Sequence, residues 1–246
     1  PSYLDCLDKN ILSQILCDLD TCVEFTDLSN FSQLYIERTI GNPYGICFKE
    51  NVIMPDTPRH FYYSYKIKCL IKNIKKPSIL EIGGGVGGLT RILMNGISNL
   101  TYYGIDLLPA CLTQYYFLKR SGLKVNLILD LKDIKSREIN LIPFDRSKVF
   151  LDSIQDIDLV FNSRSFCEMG SETINYYFNY INSKIKPSYL YHENSNFLLF
   201  PESKRHIEIL ASDFPVNKSI YELINFNITP FNGGNGRYRE LLYKLK

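Results

Sequence analysis

The sequence predicts an α/β fold: a mostly parallel sheet covered on both faces by helices, closed by a C-terminal antiparallel hairpin and preceded by a helical extension. Three observations carry that expectation. From residue 77 onward, short apolar runs alternate with helix-length stretches, as in a parallel sheet with crossover helices. A glycine-rich turn, Gly83-Gly-Gly-Val-Gly-Gly88, separates the first run from the first helix. Two final apolar runs, 219–228 and 237–245, are joined through Asn232-Gly-Gly-Asn-Gly236, which suits an antiparallel hairpin.

Residues 1–76 form the expected helical N-terminal extension, a candidate lid. In it Ile11, Leu12, Ile15, Leu16 and Leu19 recur at helical spacing. A Gly41-Asn-Pro-Tyr-Gly45 turn follows. Asp56-Thr57-Pro58 reads as a capped start with proline in the first turn, predicting a helix over 58–75. Residues 77–246 are the second unit. Its strands are expected at 78–82, 100–106, 125–129, 157–162 and 189–192. Its helices are expected after the glycine turn and at 109–121, 171–185 and 203–212. The polar stretch 131–156 shows no readable element.

Composition narrows the function. The 246 residues are 45% hydrophobic, enough for one large domain or one domain with an appendage. Lys and Arg total 28 against 26 acids, a net charge of +2, so nucleic acid is not an expected partner. No apolar run reaches the roughly 18 residues of a membrane span. Seven cysteines, an odd number with no C-x-x-C pair, suggest reduced thiols and a cytoplasmic location. The three histidines (60, 192 and 206) do not cluster with cysteine at zinc spacing, so no metal site is expected, although a divalent-ion requirement stays open. Tyrosine (18) and phenylalanine (15) are abundant while tryptophan is absent.

The glycine turn supplies the chemistry. Its backbone can approach a ligand closely, and the helix behind it offers free N–H groups to an anion. Asp106, closing the second strand 23 residues after Gly83, is placed to accept hydrogen bonds from a ribose diol. Both features point to a nucleoside-bearing cofactor. Gly83-x-Gly85-x-x-Gly88 also satisfies the dinucleotide fingerprint, which keeps a nicotinamide cofactor as the competing choice.

Glu81, inside the strand two residues before the first glycine, distinguishes the two. The string Glu-x-Gly-x-Gly-x-Gly resembles motif I of the Rossmann-like class I S-adenosylmethionine-dependent methyltransferases, and the terminal hairpin resembles the end of their seven-stranded sheet. The resemblance implies S-adenosyl-L-methionine as cofactor. It implies that Glu81 organises the loop and that Gly83, Gly84, Gly85 and Gly87 face the methionine and ribose. Asp106 then holds the ribose hydroxyls, with Leu107 against adenine. Asp130 and Leu131, closing the third strand, flank the adenine, unless Asp130 is a helix cap or a surface carboxylate. Asn162, ending the fourth strand, lies beside the methionine amino group, and Arg59 pairs with its carboxylate or belongs to a solvated face.

The acceptor is read from the segment Asn162-Ser-Arg-Ser-Phe-Cys-Glu-Met169. It lacks the Pro-Pro turn of enzymes that methylate amino groups of bases. Together with Gly41-Asn-Pro, the Arg59 helix, motif I and Tyr176-Tyr-Phe, it resembles bacterial sugar O-methyltransferases associated with capsule and lipopolysaccharide gene clusters. The resemblance covers about residues 40–245 and implies a sugar or sugar-nucleotide substrate. Val86 departs from it, where many relatives carry an aromatic. Alcohol methylation needs a group to take the hydroxyl proton. Glu168, His192 and His60 are the candidates. The competing role of Glu168 is a helix-terminal acid, and that of His192 an interior histidine. Ser165, Tyr63 and Asn194 are expected to contact the substrate, although aromatics at helical spacing are more often core. His206 is expected on the surface. A homodimer is compatible with all of this. The alternatives are a non-sugar acceptor and a non-catalytic cofactor-binding subunit.

Overall fold

The strand that leads into the glycine turn is the middle of the molecule. The structure, a computed structural model, describes residues 9–29, 31–41, 43–197, 208–231 and 236–246. Helix α1 (Lys9–Phe25) buries Ile15, Leu19 and Cys22. Strands β1 (Ile36–Glu37), β2 (Ile46–Phe48) and β3 (Asn51–Ile53) make a small antiparallel sheet in the order β1-β3-β2, so the extension is not purely helical. Helix α2 (Thr57–Ile71) has proline in its first turn, and His60 N–H donates to the Asp56 carbonyl at 3.0 Å. The Asp56 side chain does not cap the helix; it accepts from Arg59 Nη2 at 3.0 Å.

The second unit runs β4 (Ser78–Ile82), α3 (Gly88–Gly96), β5 (Thr101–Asp106), α4 (Leu108–Arg120), β6 (Val125–Leu127), β7 (Ile139–Pro143), α5 (Ser147–Ser153), β8 (Leu159–Ser163), α6 (Ser171–Tyr180), β9 (Tyr189–Ser195), β10 (Tyr221–Ile228) and β11 (Tyr238–Leu245). These strands form one sheet in the order β10-β11-β9-β8-β4-β5-β7-β6. The core from β9 to β6 is parallel, and β11 runs antiparallel to both β9 and β10. Residues 203–207 of the expected last helix lie outside the described residues, and 208–213 contain only a 3₁₀ turn, Ala211–Asp213. Residues 232–235 of the hairpin connection, and His206, also lie outside them.

All five residues of β4 are buried, as expected for a strand covered on both faces. Its period of two sorts side chains between two cores. Ile79, with Tyr102, Leu159 and Phe161, faces α1, α2, α3 and α4. Leu80 and Ile82, with Ile105 and Val160, face α5 and α6. Tyr63 belongs to the first core: it is fully buried against Phe161 and Tyr191, and its hydroxyl bonds Thr229 Oγ1 at 3.1 Å. A sugar-stacking role for Tyr63 is therefore corrected; it packs the helix onto the sheet.

The sheet has eight strands rather than seven because β7 enters between β5 and β6. Its sequence, Ile-Asn-Leu-Ile-Pro, puts an amide at a buried position. Asn140 is satisfied there. Its Oδ1 accepts from Lys135 N at 2.9 Å, and its Nδ2 donates to the carbonyls of Lys135 at 2.9 Å and Tyr102 at 3.3 Å. The side chain thus ties the loop before β7 to β5, and β6 becomes the edge.

Among the described residues no helix is long and apolar enough to cross a membrane, and no three His, Cys, Asp or Glu side chains group as a metal site. The six described cysteines are unpaired.

Asn140→Ala leaves the Lys135 peptide groups without their partner. The expected loss of stability is about 1–3 kcal/mol, the cost of exposing buried polar groups to no acceptor. Urea denaturation measures it, and a midpoint equal to wild type contradicts the assignment.

Candidate functional site

Every strand around the glycine turn presents its carboxyl end at one edge of the sheet. The chain reverses there between β5, reached to one side of β4, and β8, reached to the other. Such a reversal is where open α/β sheets form a crevice. The crevice is a cavity of about 310 Å3, comparable to small-molecule sites of roughly 300–1,000 Å3. Gly83, Asp106, Leu107, Phe144, Ser165 and Glu168 are among its walls.

Gly83 has φ +74°, and a Cβ on it would collide with Ser165 Oγ. A side chain is excluded both by backbone strain and by contact. The turn continues through Gly85 and Gly87, also left-handed at φ +58° and +88°. Under it lies Glu81, 4% exposed, which accepts from the Tyr102 hydroxyl and from Thr90 Oγ1 at 3.5 Å. Burial pushes its carboxyl up to about 7, with Tyr102 opposing the rise. Glu81 thereby ties β4, β5 and α3 together beneath the loop.

Asp106 stands across from the turn. Its Oδ2 accepts from Gly85 N at 3.1 Å and Gln114 Nε2 at 3.4 Å, and its Oδ1 from Leu107 N at 2.8 Å. Partial burial raises its pKa, and these N–H groups restrain the rise. The carboxylate is held in one orientation facing the cavity. Leu107, 63% exposed, and Phe144, 37% exposed, give that end an apolar wall.

Ser165 belongs to the opposite wall, with Asn162 behind it. Asn162 Nδ2 donates to the Ile82 carbonyl at 2.7 Å and to Ser165 Oγ. Its Oδ1 accepts from Asn194 Nδ2 at 2.8 Å and Phe166 N at 3.3 Å. Asn194 Oδ1 in turn accepts from Cys167 N at 3.0 Å. Asn162 and Asn194 are fully buried, and their amides are committed to this scaffold. Neither side chain reaches the cavity, which corrects the cofactor contact expected of Asn162 and the substrate contact expected of Asn194. Ser165 and Glu168 do line it.

Four further expectations are corrected. Asp130 and Leu131 border a separate cavity of about 290 Å3 with Arg146 and Val149. Asp130 caps the 3₁₀ turn Leu131–Asp133, accepting from Lys132 N at 3.1 Å. Both residues sit aside because β7, not β6, adjoins β5, and Phe144 after β7 takes the place expected of them. Arg59 is occupied by carboxylates: Nη1 reaches Glu193 Oε2 at 3.3 Å and Nη2 reaches Asp56 Oδ1 at 3.0 Å. His192 is wholly buried, with its ring 5.1 Å from that of Phe214 and 6.0 Å from that of Tyr243, and among the described residues both ring nitrogens lack a partner. Burial lowers its pKa to about 3, too weak a base to hold a proton. His60 is half-buried on the start of α3, where a Cβ on Gly88 would stand 2.6 Å from its Nδ1. Burial, and then Arg59, hold it well below its ordinary pKa.

The residue least expected is Glu193. It is fully buried, accepts from Ser163 Oγ at 2.6 Å, and pairs with Arg59 and, at 3.2 Å, Arg164. Burial opposes its ionisation, but the two guanidiniums outweigh burial and hold its pKa below the usual value. Asp18 of α1 lies near both arginines; burial raises it to about 6 against their attraction. The signal for Glu193 was an acid inside a strand expected to be covered on both faces. Nothing in the pattern marked Asp18.

No protein-family model matches the chain, and no curated protein sequence matches it. Solved structures do resemble it. The methyltransferase domain of bacterial CtHen1-C superposes with a TM-score of 0.53 at 14% identity, over 74% of this chain and 96% of that one. MtNAS in complex with MTA and tNA gives 0.52 at 12% identity, over 99% and 73%. The small RNA methyltransferase HEN1 gives 0.52 at 12%, over 81% and 26%. The fold is thus the Rossmann-like fold of the class I methyltransferases.

His192 makes a pH prediction. An unfolded chain protonates it below about 6.5, whereas the folded one refuses the proton until about 3. Its contribution to stability is therefore intact above 6.5 and lost progressively as pH falls from there. His192→Phe should match wild type near neutral pH and exceed it by about 2 kcal/mol near pH 5, read by urea denaturation at both. A difference that does not change with pH overturns the placement.

Proposed function

We propose that this chain is an S-adenosylmethionine-dependent methyltransferase acting on a sugar hydroxyl, nucleotide-linked or carried on a surface glycan, in the cytoplasm. One observation carries it: a turn kept free of side chains at Gly83 faces the fixed carboxylate of Asp106 across one small cavity. Asp106 suits the ribose hydroxyls, and Leu107 with Phe144 suits the flat adenine. The glycine backbone, supported by Glu81, suits the methionine end. The bound cofactor supplies an electrophilic methyl group.

The nicotinamide alternative is disfavoured by His60. A dinucleotide's pyrophosphate rests on the helix N-terminus after the glycines. Here the imidazole packs on Gly88, the third glycine of that fingerprint, at the start of α3. The N-terminal extension, residues 1–76, then acts as the lid over the glycine turn.

For the acceptor, the lining is informative. Asp106 and Glu168 are its carboxylic acids, and among the described residues no Lys, Arg or His lines it. A polyanionic backbone is repelled by such a wall, whereas a neutral polyol is not. The Ser165-Phe-x-Glu168-Met169 resemblance to sugar O-methyltransferases agrees with a polyol. Glu168 takes the hydroxyl proton, and Ser165 orients the oxygen. The half-buried His60 and the buried His192, both weakly basic, take no part in proton transfer.

Methyl transfer to a panel of nucleotide-activated heptoses, deoxysugars and hexoses tests the acceptor. Glu168→Gln should lower kcat on the order of a hundredfold while leaving cofactor affinity unchanged. Full turnover in Glu168→Gln removes Glu168 as base. Intact cofactor binding with no sugar methylated moves the assignment to a non-sugar acceptor.

A further inference from the structure

A second concavity, about 450 Å3, lies between α2, α3 and the segment 27–33 that follows α1. None of its lining residues belongs to the glycine-turn cavity. Among its buried polar groups is Arg91, one residue beyond the Thr90 that bonds Glu81. Arg91 is 8% exposed, and among the described residues its Nε and Nη2 have no hydrogen-bond partner. Burial alone lowers its pKa, to about 10; no neighbouring carboxylate raises it.

A buried guanidinium without a counter-charge is among the costliest arrangements in a folded chain. Besides Arg91, the unpartnered buried side-chain atoms among the described residues are Gln114 Oε1 and the two His192 ring nitrogens, none of which carries a full charge, so Arg91 is the one unpartnered cation among them. Nε and Nη2 are also the side-on pair with which arginine grips two oxygens of a carboxylate or phosphate. The remaining lining suits a polar guest. Lys68 adds a second cation, Ser64 and Asn95 are polar, and Phe61 and Ile92 are apolar. Among the described residues Asp27 is the one acid of this lining, against Lys68 and Arg91.

We propose that this cavity is a binding site for a small organic oxyanion, a phosphate- or carboxylate-bearing molecule, anchored by the Arg91 fork with Lys68 as second cation. The site is independent of the methyltransferase assignment and separate from the glycine turn.

Thermal unfolding of the whole chain, titrated with inorganic phosphate and separately with citrate, tests it. The wild-type Tm should rise with at least one of them, following a binding curve. The phosphate and citrate arms tell which oxyanion is preferred. Arg91→Met keeps the apolar stem and deletes an unpaired charge, so it should fold at least as well, and its affinity should fall roughly tenfold or more. Lys68→Ala, an exposed change, should weaken binding without altering the ligand-free Tm. Salting-out by these anions stabilises any protein and moves all variants alike. Equal shifts in wild type and Arg91→Met, or no shift with either anion, overturn the site. Response of Arg91→Met to S-adenosylmethionine is measured in parallel, so failure of one site is not confused with failure of the other.

Discussion

The candidate site depends on how the backbone leaves β4. The last carbonyl of that strand, Ile82, accepts from Asn162 Nδ2 at 2.7 Å and Ser165 Oγ at 3.1 Å, both from the end of β8. The next N–H, Gly83, donates to the Ile105 carbonyl of β5 at 2.8 Å. The strand end is thus held from both sides, and the chain can continue only through a left-handed residue lying against Ser165. Glycine satisfies that demand without strain. The turn that follows is bonded to Asp106 through Gly85 and supported from below by Glu81. Cavity walls, glycine backbone and the Asp106 carboxylate are therefore fixed by the same few hydrogen bonds.

A second network anchors the N-terminal extension. Arg59 on α2 meets Glu193 and Ser163 of the sheet, and Arg164, at φ +64°, meets Glu193 from the other side while donating to the Phe231 carbonyl at 2.9 Å. One carboxylate shared by two guanidiniums satisfies most of its lone pairs, which makes its burial tolerable. Removing it would take from the buried Arg59 one of its two carboxylate partners, leaving Asp56. Arg59 is thereby a scaffold residue that fixes α2, and with it His60, against the glycine turn.

Much of this was legible in the sequence for a simple reason. The β4–turn–α3–β5 unit is built from local rules: an apolar strand, a glycine turn, a helix and an acid at the next strand end. Its boundaries and the places of Glu81, Gly83 and Asp106 follow from spacing alone. What spacing could not give was long-range. Strand β7 was hidden because Asn140 breaks the apolar run, and its amide is satisfied only by a loop that forms around it. Without β7 the expected lining fell on Asp130 and Leu131, which border a separate cavity, whereas Phe144 lines the cavity of the glycine turn. The tyrosines of α2 serve packing: Tyr63 lies in the core, and Tyr62 donates to Glu240 beside Tyr191. His192 ends in the other core for the same reason, since a strand buried on both faces leaves it nowhere polar to point.

Titration calorimetry of the whole chain with S-adenosylmethionine, alongside NAD and the Asp106→Ala variant, tests the central assignment most directly. Saturable one-site binding of S-adenosylmethionine by wild type, abolished in a folded Asp106→Ala and absent for NAD, is the predicted result. No binding of S-adenosylmethionine at millimolar concentration, or binding of NAD in its place, contradicts it.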